Sequence, residues 1–312
     1  MNTSPPPPGL PIAAVERDTG LAKDTLRVWE RRYGFPSPAR DNNGERVYPA
    51  DQVDKLRLIR RLIDQGLRPA KLIGLDPAAL SELLGGLAAT PPSGDPARSA
   101  QFETILKFVR LHLHEDLRRS LQQLLMKLGL QRFVGEVLAP LNLMVGDAWL
   151  RGELEVPEEH LYTEQVQNLL RAAISSQAAA SEGRPRVLLT TFPEEQHALG
   201  LLMAEAMMVP EGACCISLGT QTPLDDIRNA AQVGRFDIVA LSFSSAFPAR
   251  QALDGLRSLR GGLPPETALW AGGTGLHGIA RKLTDVRLFD SIDELPEALR
   301  SWREDHPAEA QA

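Results

Sequence analysis

Apolar positions along the chain change their period twice. Residues 12–21 (Ile-Ala-Ala-Val-Glu-Arg-Asp-Thr-Gly-Leu) place theirs on one side of a short helix closed by Gly20. Lys23 to Tyr33 repeat the pattern in a second helix ended by Gly34 and Pro36. Two helices across so tight a turn predict a helix-turn-helix. Asn43-Gly44 is a hairpin turn signal, and a third helix over Val53–Gly66 supplies Leu56, Ile59, Leu62 and Ile63 to a small core. Further on, Phe102, Ile105, Leu106, Val109 and Leu113, then Leu121, Leu124, Leu125 and Leu128, keep three- and four-residue spacing, so about four helices and a small bundle are expected. Beyond residue 184 short apolar runs at 186–190, 213–218, 237–243 and 268–271 alternate with helical stretches. Strand–helix alternation predicts a parallel sheet covered on both faces, a doubly wound Rossmann-like domain.

Breaker-rich stretches divide these periods. Residues 1–8, with four prolines, read as a disordered tail, and Thr90-Pro91-Pro92-Ser93-Gly94-Asp95-Pro96 as a linker. Ser181-Glu182-Gly183-Arg184-Pro185 marks a second break. The expected organisation is a winged helix-turn-helix over 9–76, a helix and linker over 77–99, a four-helix bundle over 100–180, a Rossmann-like domain over 184–306 and a tail over 307–312. This is a multidomain α plus α/β chain.

Composition adds little until charge is resolved by region. With 43% hydrophobic and 24% charged residues the chain reads as an ordinary globular protein. It has neither an apolar run of about 18 residues nor a basic-then-apolar N-terminus, so a cytoplasmic location without a membrane span is expected. The adjacent Cys214 and Cys215 point to opposite faces of a strand and read as buried small hydrophobes in a reducing compartment. The net charge is −6. Residues 9–76 carry 13 Lys/Arg against 10 Asp/Glu, or +3, which leaves −9 for the rest. A small basic module on an acidic body suits a nucleic-acid reader joined to a sensor.

In the first module Leu26, Trp29 and Tyr33 share one helix face, while Lys23, Arg27 and Arg31 lie on another. Taken singly, a basic helix is a solvated face and Trp29 a core residue. Order and spacing together say more. The run Thr19-Gly20-Leu21, Asp24-Thr25-Leu26-Arg27-Val28-Trp29-Glu30-Arg31-Arg32-Tyr33-Gly34-Phe35-Pro36, then Gly44-Glu45-Arg46-Val47-Tyr48, resembles the winged-helix head of the MerR family. The resemblance implies binding to inverted repeats of operator DNA by a dimer or larger homo-oligomer. The expected DNA contacts are Lys23, Thr25, Arg27, Arg31 and Arg32 on the second helix, with Arg40, Arg46 and Tyr48 on the wing.

Past the first strand of the last domain stands Phe192-Pro193-Glu194-Glu195-Gln196-His197-Ala198-Leu199-Gly200. A histidine there sits at the ligand-binding edge of such sheets, and Glu195 can hydrogen-bond its second ring nitrogen. Alone, His197 is a surface or capping histidine. Glu195-Gln-His197-Ala-Leu-Gly200, however, resembles the Asp/Glu-x-His-x-x-Gly motif of cobalamin-binding domains. That resemblance makes His197 the lower axial cobalt ligand. It also puts Ser242 and Ser244 near the cofactor's nucleotide tail, and Gly272 and Gly273 where the tail packs closely. Trp149, nine further residues, then Glu159-His160 is similar to the cap over the upper face of adenosylcobalamin in the CarH/LitR-type light-responsive regulators.

One position departs from that pattern. The best-known photoreceptors of the group carry a histidine directly after the tryptophan; here Leu150 stands in its place and cannot ligate. The expectation is therefore a cobalamin-controlled transcriptional regulator, not an enzyme, acting as a repressor that light releases from DNA. Three alternatives stay open: light-independent sensing of cobalamin supply or redox state, a cofactor-free MerR regulator, and a corrinoid methyl carrier. The operator, the regulated genes and the oligomer size are not legible.

Overall fold

A computed structural model describes residues 9–41, 44–64, 67–87, 96–150, 152–177, 183–276 and 283–307. The expected tail 1–8, residues 308–312 of the expected tail 307–312, residues 88–95, and Ser181 and Glu182 of the second break lie outside the described residues. The chain forms two compact units, a head within Met1–Pro96 and a body within Ala97–Trp149 and Glu153–Ala312.

In the head, β1 (Gly9–Pro11) leads into α1 (Ile12–Thr19) and α2 (Lys23–Tyr33). The turn between the helices is built locally. Gly20 takes the left-handed conformation at φ 67° and returns its N–H to Glu16 O, while the Leu21 N–H bonds the Thr19 hydroxyl. The hairpin of β2 (Ala39–Arg40) and β3 (Arg46–Pro49) follows, with β3 central in a three-stranded antiparallel sheet of order β1-β3-β2. Then come α3 (Ala50–Asp64), α4 (Pro69–Leu72) and α5 (Pro77–Leu87). Val15, Leu26, Trp29, Leu56, Ile59, Leu62 and Leu80 meet in one buried cluster.

One sequence expectation for the wing needs correction, and a second residue has a partner of its own. Tyr48 does not reach outward to DNA: its ring is fully buried in that cluster, and its hydroxyl donates to Glu30 Oε1 at 2.6 Å. Arg46 Nε donates to Glu30 Oε2 at 2.9 Å, so this guanidinium is tied back to α2. Glu30 thus locks the wing strand onto the helix. We expect Tyr48→Phe to loosen the head by about 1 kcal/mol, seen as about fivefold faster amide exchange in α2 and β3. A variant that lost DNA binding with unchanged exchange would instead make the hydroxyl a DNA contact.

The body opens with α6 (Pro96–Arg110) and α7 (His114–Leu128). The third bundle helix is interrupted: α8 (Leu130–Phe133) passes through a π turn (Val134–Leu138) into α9 (Ala139–Leu150), and α10 (Val156–Gln177) completes the bundle. Leu113, expected in the core, is 39% exposed because the chain turns out of helix before it; Phe102, Ile105, Leu106 and Val109 are buried as the spacing predicts.

Five parallel strands follow: β4 (Arg186–Thr190), β5 (Cys214–Gly219), β6 (Ile238–Ser242), β7 (Ala268–Gly272) and β8 (Arg287–Phe289), in the order β5-β4-β6-β7-β8. The short β8 had no sequence signal. Between and after the strands lie α11 (Leu199–Met208), α12 (Leu224–Val233), α13 (Ala249–Gly262) and α14 (Leu295–Asp305). Val187, Leu189, Ile238 and Ala240 join the bundle, α11 and α14 in one core, while Leu188, Val239, Leu241 and Leu269 pack with α12 and α13 on the other face. Parity along each strand separates the two cores. Cys214 and Cys215 are in no disulfide and are half-buried rather than fully buried, because β5 is an edge strand; burial pushes the Cys215 thiol up.

Strand order reverses around β4, whose neighbours are β5 on one side and β6 on the other. Such a switch point leaves a crevice beyond the carboxyl ends of β4 and β6, because the connections leave in opposite directions.

Candidate functional site

Thr190 and Thr191 end β4 inside this crevice, and both are fully buried. Buried hydroxyls need partners, and these hold two loops together. Thr190 Oγ1 lies 2.7 Å from Thr222 Oγ1, and Thr191 Oγ1 accepts the Gln221 N–H at 2.9 Å. Thr191 Oγ1 also donates to Glu195 O at 2.7 Å, which fixes the loop beyond β4. A Thr-Thr pair closing an apolar strand was the available signal for this anchor.

Glu195 is only 2% exposed, and its two oxygens divide the work. Oε1 accepts the His197 N–H at 3.0 Å and lies 2.6 Å from His197 Nδ1. Oε2 accepts the Ser244 N–H and the Ser244 hydroxyl, each at 2.8 Å. Ser244 Oγ also lies 3.0 Å from His197 Nδ1. Burial pushes the Glu195 carboxyl up, but donors from His197 and Ser244 outweigh it and hold the group below its ordinary value. The Glu195 hydrogen bond raises the His197 imidazole, against burial; Glu159 adds a smaller push.

Chemically this is an oriented imidazole. A carboxylate held ionised beside Nδ1 fixes the tautomer with its proton there, so Nε2 keeps its lone pair and faces outward. His197 Nε2 has no partner among the described residues, and the side chain is 61% exposed. Among those residues no group of three or more His, Cys, Asp or Glu could hold a bare metal ion. One outward nitrogen suits a metal that arrives inside a larger cofactor.

The glycines fit the same purpose. A Cβ on Gly200 would stand 2.2 Å from Ser242 Oγ, so α11 can start directly against the end of β6. Gly273, at φ 106°, would put a Cβ 2.2 Å from Phe243 O. There the loop after β7 lies backbone to backbone on the loop after β6, stitched by Phe243 N–H to Gly272 O and Gly275 N–H to Phe243 O. Gly272 has only ordinary contacts at 3.4 Å and beyond.

The structure therefore brings Glu195, His197, Gly200, Ser242, Ser244, Gly272 and Gly273 to one end of the sheet. Among the described residues, Trp149 and His160 have no hydrogen bond to this network. Trp149 packs half-buried against the body's core, and His160 is exposed with Nδ1 2.6 Å from Glu159 Oε2. Glu159 also accepts the Thr163 hydroxyl at 2.7 Å. Sequence reasoning missed a link behind them: the buried Tyr162 hydroxyl donates to Asn142 Oδ1 at 2.6 Å, and Asn142 Nδ2 reaches Met203 Sδ on α11 at 3.2 Å. That chain joins α9 and α10 to the helix that follows His197.

On the head, α2 presents Asp24, Arg27, Val28, Arg31 and Arg32 to solvent. Lys23 pairs with Glu16 at 3.1 Å, Thr25 is half-buried, and Arg40 Nη1 donates to Gly44 O at 2.6 Å within the hairpin. Fold and sites together define a helix-turn-helix regulator whose body has a corrinoid-type architecture.

Comparison with known proteins agrees. Residues 10–77 match the MerR HTH family regulatory protein, and residues 102–174 match the B12 binding domain. The chain is 33% identical over 257 residues to the HTH-type transcriptional repressor CarH of Myxococcus xanthus, spanning 81% of this chain and 85% of that protein. It is 30% identical over 239 residues to the repressor CarA of the same organism, 76% and 77% of the two chains. The monomethylamine corrinoid protein of Methanosarcina barkeri shares the fold at a TM-score of 0.53 and 13% identity, covering 65% of this chain and 99% of that one. The chain belongs to the family of MerR-type transcriptional regulators with a B12-binding domain that includes CarH and CarA. It is a cobalamin-binding, DNA-binding regulator rather than an enzyme. No helix among the described residues is long and apolar enough to cross a membrane.

Proposed function

We propose that this chain is a repressor that binds its operator as a homo-oligomer, a dimer or tetramer, while holding adenosylcobalamin, and lets go in light. The observation that carries the cofactor reading is the buried Glu195 clamping His197 Nδ1 and leaving Nε2 outward. Adenosylcobalamin, when bound, supplies a cobalt–carbon bond that light breaks. His197 would ligate the cobalt, Ser242, Ser244, Gly272 and Gly273 would receive the nucleotide tail, and Trp149, Glu159 and His160 would enclose the adenosyl group.

The remaining work belongs to the protein. Tyr162 and Asn142 tie the cap helices to α11, so a shift at the cap is passed to the packing behind His197. Coupling of about 1–3 kcal/mol per site is typical of allostery, and paired heads multiply its effect through avidity. The Leu150 side chain carries no ligating atom, so no side-chain ligand at that position would hold the illuminated state. The same residue favours a second reading, in which cofactor supply rather than light is the signal.

The experiment compares oligomer size and operator affinity for apoprotein, dark holoprotein and illuminated holoprotein. The light reading expects illumination to weaken operator binding about tenfold or more, within the range allosteric coupling allows. Identical size and affinity in dark and light would sink it. A response to added cofactor in darkness, unchanged by light, would establish the second reading.

A further inference from the structure

Val28 sits in the middle of the basic face of α2, and nothing in the fold explains it. Leu26 and Trp29 on either side are buried in the head's core, whereas Val28 is 41% exposed. A β-branched side chain is a poor choice for a solvated helix position, where its restricted rotamers lower helix propensity. Isolated exposed apolar residues are common on protein surfaces. The surroundings of this one are not neutral, however.

Asp24, Arg27, Val28 and Arg31 stand at i, i+3, i+4 and i+7, a single stripe along the helix, and all four are exposed. Arg31 has no hydrogen-bond or ion-pair partner among the described residues. Arg27 is held only by Asp24 one turn earlier, at 3.0 Å, with both side chains more than half exposed. Exposed pairs of this kind contribute little, so the guanidinium can be redirected at small cost. Two other cations of the head are held by largely buried carboxylates, Arg46 by Glu30 and Arg57 by Asp18. The stripe thus carries charge that remains available to polyanionic DNA.

We infer that Val28 is a specificity-determining residue, reading the 5-methyl group of a thymine in the major groove of each operator half-site. The inference rests on the DNA-binding function above. A major groove offers an apolar side chain one partner, the thymine methyl, since the other base edges there present hydrogen-bonding groups. Arg27, the residue before, and Arg31, three residues after, can engage guanine edges or phosphates and so seat the helix. The two methyls of Val28 then lie where a hydrophobic contact discriminates thymine from cytosine, and from uracil, which differs from thymine only by the methyl.

That difference supplies the test. The full-length chain, with and without adenosylcobalamin in the dark, is used to select binding sites from randomised duplex DNA. Each thymine of the selected site is then replaced by uracil, in titrations with wild type and with Val28→Ala. Alanine is the better helix former, so the variant keeps its fold. Burying one methyl corresponds to about a fourfold change in affinity. Wild type is expected to lose about that factor at one thymine per half-site. Val28→Ala should bind thymine and uracil alike at that position and lose its preference there on reselection. Equal wild-type affinity for every thymine and its uracil replacement would overturn the inference, as would Val28→Ala keeping the wild-type discrimination. Those outcomes leave operator binding intact. A chain that selects no sequence in either cofactor state would overturn this inference together with the DNA-binding function on which it rests.

Discussion

His197→Ala is expected to weaken corrinoid uptake about a hundredfold or more and to remove the spectrum of nitrogen-ligated cobalt from what still binds. Removal of a carboxylate that merely supports a ligating histidine already costs about 10–100-fold in metal affinity, and loss of the ligand itself costs at least as much. The variant keeps both Ser244 donors on Glu195 Oε2, so the loop beyond β4 retains half of its clamp. Added imidazole then becomes a direct check, since it should restore the nitrogen-ligated spectrum in the variant. Glu195→Gln should fall between wild type and His197→Ala. Its amide has one acceptor oxygen where the carboxylate has two, so its NH2 must face either the His197 donors or the Ser244 donors. Wild-type affinity and spectrum in His197→Ala would remove this histidine from the cobalt altogether.

The second large effect comes from two neighbouring glycines that are expected to behave oppositely. Gly273→Val puts a β-branched residue at φ 106° with its Cβ 2.2 Å from the Phe243 carbonyl oxygen. The conformation costs about 1–3 kcal/mol and the overlap a similar amount, because backbone rather than a flexible side chain must move. A loss of about 3 kcal/mol would lower the melting temperature of a body this size by about 10 °C. The displaced loop carries Ser244 with it, so corrinoid uptake should fall together with stability. Gly272→Ala meets Phe289 Cβ at 3.4 Å, an ordinary contact, and should shift melting by no more than about 2 °C. Thermal unfolding of both apoproteins and their titration with adenosylcobalamin decide the matter. Similar behaviour of the two variants would mean that the close approach of the β6 and β7 loops has no role in the site.

Much of the site was legible because its key groups are neighbours in the chain. Glu195 and His197 are two residues apart just past an apolar strand, so spacing allowed a carboxylate beside an imidazole, and the motif's resemblance to cobalamin-binding domains gave the pair its role. Helix periods, the Gly20 turn and the parallel sheet were equally legible, since they depend on local backbone preference and on burial of one face. The partner that completes the clamp was not. Ser244 lies 49 residues beyond Glu195 and meets it only because β6 pairs beside β4. Tyr48 was misread for a related reason. A tyrosine on a wing strand can face outward or inward, and the choice depends on the acceptor that α2 offers, here Glu30. The π turn also had no sequence signal, nor did the three-residue β8 and the Tyr162–Asn142–Met203 link, the last two arising from contacts between separated segments.

The sequence by itself determined most of the succession of helices and strands, the basic character of the head, the closeness of an acid and a histidine after the first strand of the sheet, and the lack of a side-chain nitrogen at residue 150. These are properties of neighbours within a turn of helix or a strand, where periodicity and residue chemistry act directly. Tertiary structure alone decided which groups meet: the two-sided clamp on Glu195, the outward Nε2 of His197, the burial of Tyr48 and the exposure of Val28. Those outcomes follow from strand order and helix packing, which bring together residues tens of positions apart. Buried polar atoms such as the Glu195 oxygens then take their partners from whatever that packing places within reach.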